Sequence, residues 1–244
     1  MTTKWLFVSD VDDTLLGDDA ALDRLMAALA AAPHVTVAYN SSRPCASLRQ
    51  SLVDNPALRP PDFLIGALGT EIEDGRSAQP LAAYTQHLAQ NWQRDRVDQL
   101  MRSLGFVPHD GRYQTPYKAS YDIPGAASYR QAQAALLAAN LSVKTIFSMG
   151  KNLDVIPPSA GKGAVIQFLR QWLAIPADHV VVAGDSGNDV DMFIAPFRGI
   201  VVGNADADLR AQIAAHIYHA QGHCAAGVLE GLNYWGVTAV TPLE

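Results

Sequence analysis

Charge is scarce in this chain. Only 17% of its 244 residues are Asp, Glu, Lys or Arg, and the acidic ones outnumber the basic ones by 24 to 18. A net charge of −6 argues against nucleic acid or an anionic membrane as the main partner, because neither is attracted by such a surface. An anionic substrate stays open, since a metal ion and one or two lysines can invert the field inside a single crevice. Cysteine is rarer still. Cys45 and Cys224 are the only two, too few for a disulfide framework, and read as free thiols in a reducing cytosol. No apolar run approaches the length that spans a bilayer. Met1-Thr2-Thr3-Lys4 leads straight into a strand pattern with no secretory apolar region before it. The expectation is a cytoplasmic, soluble protein. Nearly half of the residues are apolar (49%), enough for one large α/β domain or a core with a smaller insert.

Strand and helix patterns alternate at both ends of the chain. Lys4 to Ser9, Val35 to Tyr39, Asp62 to Gly66, His179 to Ala183 and Gly199 to Val202 read as short apolar strands. Helical spacing fills the gaps over Ala20–Ala32, Cys45–Val53, Lys162–Leu173, Ala207–Ala215 and Gly227–Tyr234, with a shorter turn over Asp189–Ile194. Such alternation implies a parallel sheet with right-handed crossovers. Gly69 to Asp74 reads as a short extended excursion off that sheet. Between about Gln79 and Pro157 the character changes. Tyr84–Leu104 reads as one long polar helix and Ser128–Ala139 as another. Pro116–Ile123, Val143–Ser148 and Asn152–Ile156 alternate polar and apolar residues, as a sheet with one wet face does. The expected division is a discontinuous core, 1–79 and 158–244, with an inserted α+β unit over 80–157.

Chemistry concentrates where apolar strands stop. Trp5-Leu6-Phe7-Val8 runs into Ser9-Asp10-Val11-Asp12-Asp13-Thr14, which places two carboxylates at the carboxyl edge of the sheet, where open α/β folds bind ligands. Phosphate-ester cleavage needs that pair: one carboxylate to attack phosphorus and one to manage the proton of the leaving alcohol. Ser41 and Ser42 follow the second strand and offer a hydroxyl and backbone N–H groups to a phosphate oxygen. Lys162 stands between Gly161 and Gly163 at a helix start. The nucleotide-binding phosphate loop is excluded there, since its upstream glycine is missing. Gly184-Asp185-Ser186-Gly187-Asn188-Asp189 closes another buried strand with two carboxylates four residues apart. Such a turn suits a hard cation, Mg2+ in particular, which takes few carboxylates, several waters and a substrate phosphate.

In this order the four segments resemble the haloacid-dehalogenase-type phosphohydrolases, and the position of the insert resembles the branch with a large α+β cap. Gly69-Thr70-Glu71-Ile72, Asn91-Trp92-Gln93-Arg94-Asp95, Tyr117-Lys118-Ala119-Ser120-Tyr121 and Ser148-Met149-Gly150-Lys151-Asn152-Leu153-Asp154 extend the resemblance to the bacterial sucrose-phosphatase group. Two positions depart from that pattern. Asn40-Ser41-Ser42-Arg43-Pro44 stands where the group has Thr-Gly-Arg-Ser, and Asp13 stands where Asn or Gly is usual.

The resemblance implies an α/β fold with a Rossmann-like parallel-sheet core and an inserted α+β cap. It implies a Mg2+-dependent phosphoric monoester hydrolase acting on a sugar phosphate, sucrose 6-phosphate first, through an aspartyl-phosphate. Mannosylfructose phosphate is the alternative substrate, and an upstream sugar-phosphate synthase a conceivable partner. Asp10 and Asp12 are then the catalytic residues, Ser41, Ser42 and Lys162 the phosphate site, and Asp10, Asp12, Asp185 and Asp189 the metal site. Thr14, Ser186 and Asn188 support them. Lys118, Ser120, Ser148, Lys151 and Asp154 in the cap offer donors and acceptors to sugar hydroxyls. A non-catalytic sugar-phosphate regulator would lack some of these carboxylates, and all are here. His216, His219, His223 and Cys224 fit no familiar zinc spacing. Trp5, Trp92, Trp172 and Trp235 read as packing, not as a nucleic-acid platform.

Overall fold

The computed structural model describes residues 3–238. The chain begins with β1 (Trp5–Ser9), α1 (Asp19–Ala30), β2 (Val35–Asn40), α2 (Cys45–Asp54), β3 (Phe63–Gly66) and β4 (Glu71–Asp74). The middle holds α3 (Ala82–Ala89), α4 (Arg94–Ser103), β5 (Val107–Pro108), β6 (Ala119–Asp122), α5 (Gly125–Ala138), β7 (Lys144–Ser148) and β8 (Asn152–Ile156). It closes with α6 (Lys162–Trp172), β9 (Val180–Gly184), β10 (Arg198–Val201), α7 (Ala207–Arg210), β11 (Ile217–His219) and α8 (Cys224–Tyr234).

Two sheets result. The larger has the order β11-β10-β9-β1-β2-β3-β4 and is parallel except at β4. Its central strands β1 and β9 are buried at every position, which is why both read as unbroken apolar runs. Each of Leu6, Phe7, Val8, Val180, Val181 and Val182, fully buried, contributes about 1.5–3 kcal/mol by leaving water. Helices cover the sheet, with α1 packed on α8 and capped at its start by Asp18, whose carboxylate accepts from the Ala21 N–H at 3.0 Å.

The smaller sheet, β5-β6-β8-β7, is antiparallel throughout. Ala119, Tyr121, Leu153 and Val155 turn one face onto Val97 and Met101 of α4 and Ala132 and Leu136 of α5. The opposite face carries Ser120, Asp154 and Ile146 in register, with Asp122, Asn152 and Ser148 in the next row. The period of two therefore sets a polar face against the large sheet's carboxyl edge.

Several segments differ from the sequence expectation. Gly69–Asp74 is no excursion: its Glu71–Asp74 part pairs with β3 as the antiparallel edge strand of the large sheet. The single helix expected over Tyr84–Leu104 is two, separated around Trp92, whose indole N–H donates to the Pro116 carbonyl at 2.7 Å. That tertiary bond outweighs the helical propensity of the flanking residues. The helix expected to reach Ala215 stops at Arg210, and Val107–Pro108 is a short strand that the sequence did not signal. Among the described residues no helix is long and apolar enough to cross a membrane.

Candidate active site

Asp10, Ser41 and Asp185 each follow the last residue of a neighbouring parallel strand, β1, β2 and β9. The Asp10 N–H donates to the Ala183 carbonyl at 3.0 Å and the Ser41 N–H to the Ile65 carbonyl at 3.0 Å. Ladder hydrogen bonds thus continue past the strands and fix the backbone that carries the polar side chains. Lys162 opens α6 behind them with its side chain 1% exposed. Its ammonium donates to Asp10 Oδ1 at 2.8 Å, Asn188 Oδ1 at 2.7 Å and Asp189 Oδ1 at 2.6 Å, so all three protons are placed. Its carbonyl accepts from Asn40 Nδ2 at 3.1 Å.

The Gly184–Asp189 turn is held from inside. Asp189 is wholly buried, and its Oδ2 accepts from the N–H groups of Asp185 and Ser186, each at 3.2 Å. Ser186 completes a reciprocal cap with Asp189. Gly184 is required here, because a Cβ would lie 2.7 Å from Asp189 Cβ and 2.8 Å from its carboxyl group. Thr14 Oγ1 donates to Asp185 Oδ1 at 2.9 Å and ties the first loop to this one.

Asp10, Asp185 and Asp189 bring ligand oxygens within 4.8 Å of one another. A single buried ammonium faces three carboxylates, so the cluster is under-neutralised. Burial, reinforced by Asp189 and Asp185, lifts the Asp10 carboxyl from 3.8 to about 7 in spite of Lys162. Burial likewise lifts Asp185 to about 6, against the Thr14 hydrogen bond. Burial alone would lower Lys162, but Asp10 and Asp189 together raise it above its ordinary value. A divalent cation would satisfy this donor set: hard oxygens, clustered, with surplus negative charge. Both Asp189 oxygens already accept hydrogen bonds, which leaves Asp10 and Asp185 the freer ligands.

Asp12 points elsewhere. Its carboxylate is half exposed and meets the Arg43 guanidinium, one nitrogen lying 3.0 Å from both oxygens. Arg43 is braced by Ser51 at 2.9 Å and Ser47 at 3.4 Å, and its Nε is buried without a partner among the described residues. Sequence reasoning quoted Arg43 within its motif but gave it no role; the missing signal was the ion pair, which joins residues 31 positions apart. Asp13 sits at φ 59°, a left-handed position that Asn, Asp and Gly tolerate best. That explains how Asp substitutes for Asn or Gly there.

Ser42, Arg43 and Asn188 line one side of a crevice of about 590 Å3, and Lys118, Ser148, Lys151 and Asp154 line the other. Lys118 and Asp154 are buried and 3.6 Å apart. Ser120 lies beneath the lining, fully buried and hydrogen-bonded to Asp154 Oδ1. His109, Tyr113 and Asp122 join the same wall; His109 and Tyr113 were not singled out in the sequence because residues of irregular segments show no periodicity, and Asp122 because a lone carboxylate at the end of β6 carries no signal of its own. A second hollow of about 620 Å3, near Met26, Pro33 and Arg59, holds none of the expected site residues.

The profile of the family described as sucrose-6F-phosphate phosphohydrolase matches residues 3–236. The chain is 33% identical to mannosylfructose-phosphate phosphatase from Agrobacterium fabrum, across 95% of this chain and 97% of that one. It is 28% identical to sucrose-phosphatase 1 from Nicotiana tabacum across 96% of its length, but spans only 60% of that longer protein. The sucrose-phosphatase from Synechocystis, solved with sucrose and phosphate, superposes with a TM-score of 0.85 at 30% identity, covering 96% of this chain and 99% of that one. A haloacid dehalogenase-like hydrolase from Bacillus subtilis, 16% identical, shares the fold with a TM-score of 0.73 over 95% of this chain and 92% of its own.

Proposed function

The chain belongs to the sucrose-6F-phosphate phosphohydrolase family, and from that premise we propose that this sugar-phosphate phosphatase cleaves the phosphate from a glycosyl-fructose phosphate, sucrose 6-phosphate first. The observation that carries the reading is the joining of two different surfaces in one crevice. The core side presents Ser42, Arg43 and Asn188, the last of which accepts from Lys162 of the Asp10–Lys162 cluster behind it, and the far side a buried Lys118–Asp154 pair. A phosphate site alone would accept almost any monoester, so discrimination has to come from groups that touch the sugar. Lys118, Ser148, Lys151 and Asp154 supply such groups, with Ser120 positioning Asp154 from beneath, and the unit over 80–157 acts as the cap. The relatives named for mannosylfructose phosphate and sucrose keep two glycosyl-fructose substrates in contention.

In the chemistry we assign, Asp10 attacks phosphorus as the ester oxygen leaves, giving an aspartyl-phosphate and a sugar alcohol. Asp12 protonates that oxygen, then takes a proton from the water that hydrolyses the intermediate and regenerates Asp10. Arg43 holds Asp12 at the mouth of the crevice. Ser41 and the Ser42 N–H receive the phosphate oxygens, and Lys162, held by Asp10, Asn188 and Asp189, supplies positive charge beside them. Asp10, Asp185 and the Asp12 backbone carbonyl would hold Mg2+, with Asp189 orienting Lys162 and the turn. The ion supplies charge cancellation between an anionic nucleophile and an anionic phosphate.

A phosphate-release screen tests the proposal. Sucrose 6-phosphate, mannosylfructose phosphate, fructose 6-phosphate and an aryl phosphate are compared with and without Mg2+. A glycosyl-fructose phosphate is expected to give the highest kcat/KM; equal rates on all four would refute the assigned selectivity.

A further inference from the structure

One large aromatic in the crevice wall has no structural duty that accounts for it. Tyr113 is 42% exposed although it lines the crevice, and its hydroxyl makes no hydrogen bond among the described residues. Burying an aromatic ring is worth far more than leaving it wet, so packing does not explain its placement.

The backbone beneath it is tied down. Tyr113 ends a short 3-10 turn, Gly111–Tyr113, whose start is capped by Asp110 accepting from the Arg112 N–H at 3.0 Å. Gln114 then clamps the turn to β6. Its amide donates to the Ser120 carbonyl at 2.7 Å and its oxygen accepts from the Ser120 N–H at 3.0 Å. That oxygen also accepts from Arg94 at 3.0 Å. The ring is thereby referenced to the Ser120–Asp154–Lys118 network on the same wall. The Arg112 guanidinium lies 4.8 Å from the ring centroid without lining the crevice, and the His109 ring, which does line it, meets Tyr113 edge-on at 6.2 Å, so the ring is held from the side of the wall while part of it stays open to the cavity.

A sugar ring complements this arrangement. It has a rim of hydroxyls and faces made of C–H groups, so one part of a site must hydrogen-bond and another must offer a flat apolar surface. Lys118 and Asp154 serve the rim. With the phosphorylated ring anchored at the core side by Asp10 and Lys162, a second ring reaches the cap wall. We propose that Tyr113 is a stacking platform for the sugar ring that carries no phosphate, and thereby sets the preference for two-ring over one-ring substrates. The inference rests on the glycosyl-fructose phosphate reading and adds to it the residue that recognises the glycosyl unit.

The test compares Tyr113→Ala and Tyr113→Phe on sucrose 6-phosphate, mannosylfructose phosphate and fructose 6-phosphate, which keeps the phosphorylated ring and drops the other. Stacking of this kind is worth a factor of roughly ten. Tyr113→Ala is expected to lower kcat/KM on the preferred two-ring substrate about tenfold, chiefly through KM. Fructose 6-phosphate turnover should be unchanged, and Tyr113→Phe should behave as wild type on all three. Unchanged two-ring kinetics in Tyr113→Ala would overturn the inference alone. So would an equal fall on fructose 6-phosphate, which would make Tyr113 a folding residue. A wild type that turns over fructose 6-phosphate but neither two-ring phosphate would instead refute the substrate reading, and this inference with it.

Discussion

Replacing Asp10 by Asn should destroy catalysis and stabilise the metal-free protein. The carboxyl is moved from 3.8 to about 7, first by burial and then by the neighbouring carboxylates. Each pK unit corresponds to ~1.4 kcal/mol, so an ionised Asp10 costs the folded state up to about 4 kcal/mol at pH 8. Because the folded pKa is raised, the native state binds more protons than the unfolded chain between about pH 4 and pH 7, and stability falls as pH rises through that window. Asn keeps the shape and an oxygen for Lys162, which donates to Asp10 Oδ1, but carries no charge. For a chain of this size ~1 kcal/mol moves Tm by about 2–4 °C, so Asp10→Asn in EDTA at pH 8 should melt about 8–16 °C above wild type. At pH 4.5 the gap should shrink to about 1 kcal/mol, since most of the penalty is then removed by protonation. Saturating Mg2+ should also narrow it, because an ion that binds only the folded state adds about 2.7 kcal/mol at a hundred times its Kd, and the variant lacks one ligand. Differential scanning calorimetry at both pH values, with EDTA or Mg2+, reads all of this. A wild type at least as stable as Asp10→Asn in EDTA at pH 8, or a gap independent of pH, would refute the account of the buried charge.

Asp12→Asn should reduce kcat on a sugar phosphate by roughly 10²–10⁴ but spare an activated aryl phosphate, whose leaving group needs no proton; equal losses would remove Asp12 from the acid role. Chelation should abolish phosphate release and Mg2+ should restore it, with Asp185→Ala needing a higher Mg2+ concentration for half-maximal rate. Full turnover in excess EDTA would contradict the metal assignment. Lys118→Ala or Asp154→Ala should raise KM for sucrose 6-phosphate while largely preserving turnover of a small aryl phosphate, and a proportional fall on both would point to folding of the second sheet.

The core was legible because its signals are local. A strand buried on both faces announces itself as Leu6-Phe7-Val8 or Val180-Val181-Val182, and the polar group that follows it has one place to be, the carboxyl edge. Parallel pairing then brings Asp10, Ser41 and Asp185 together across large gaps in sequence, since β9, β1 and β2 are neighbours. Lys162 joins them because α6 starts at that edge, and the Thr14–Asp185 bond locks the first loop to the last. What stayed hidden was decided by contacts between distant side chains. The break between α3 and α4 hangs on Trp92 reaching the Pro116 carbonyl, and β4 becomes part of the large sheet by pairing with β3.

The same distinction governs the site itself. A carboxylate at a strand end can be read from order along the chain, whereas Arg43 acquires meaning only when its guanidinium meets Asp12. Tyr113 is harder still. Its loop obeys no period, and its neighbour Ser120 is seven positions away along the chain. The chemistry of phosphate is written at strand ends, where geometry forces a few residue types. On the proposed reading, the identity of the sugar is written on one face of a small antiparallel sheet and the loops that wall it, where many residue types fold equally well. If so, Lys118→Ala, Asp154→Ala and Tyr113→Ala should each change the ratio of two-ring to one-ring turnover while Asp10→Asn abolishes both, and measuring these variants on paired one-ring and two-ring substrates is the direct way to locate substrate choice.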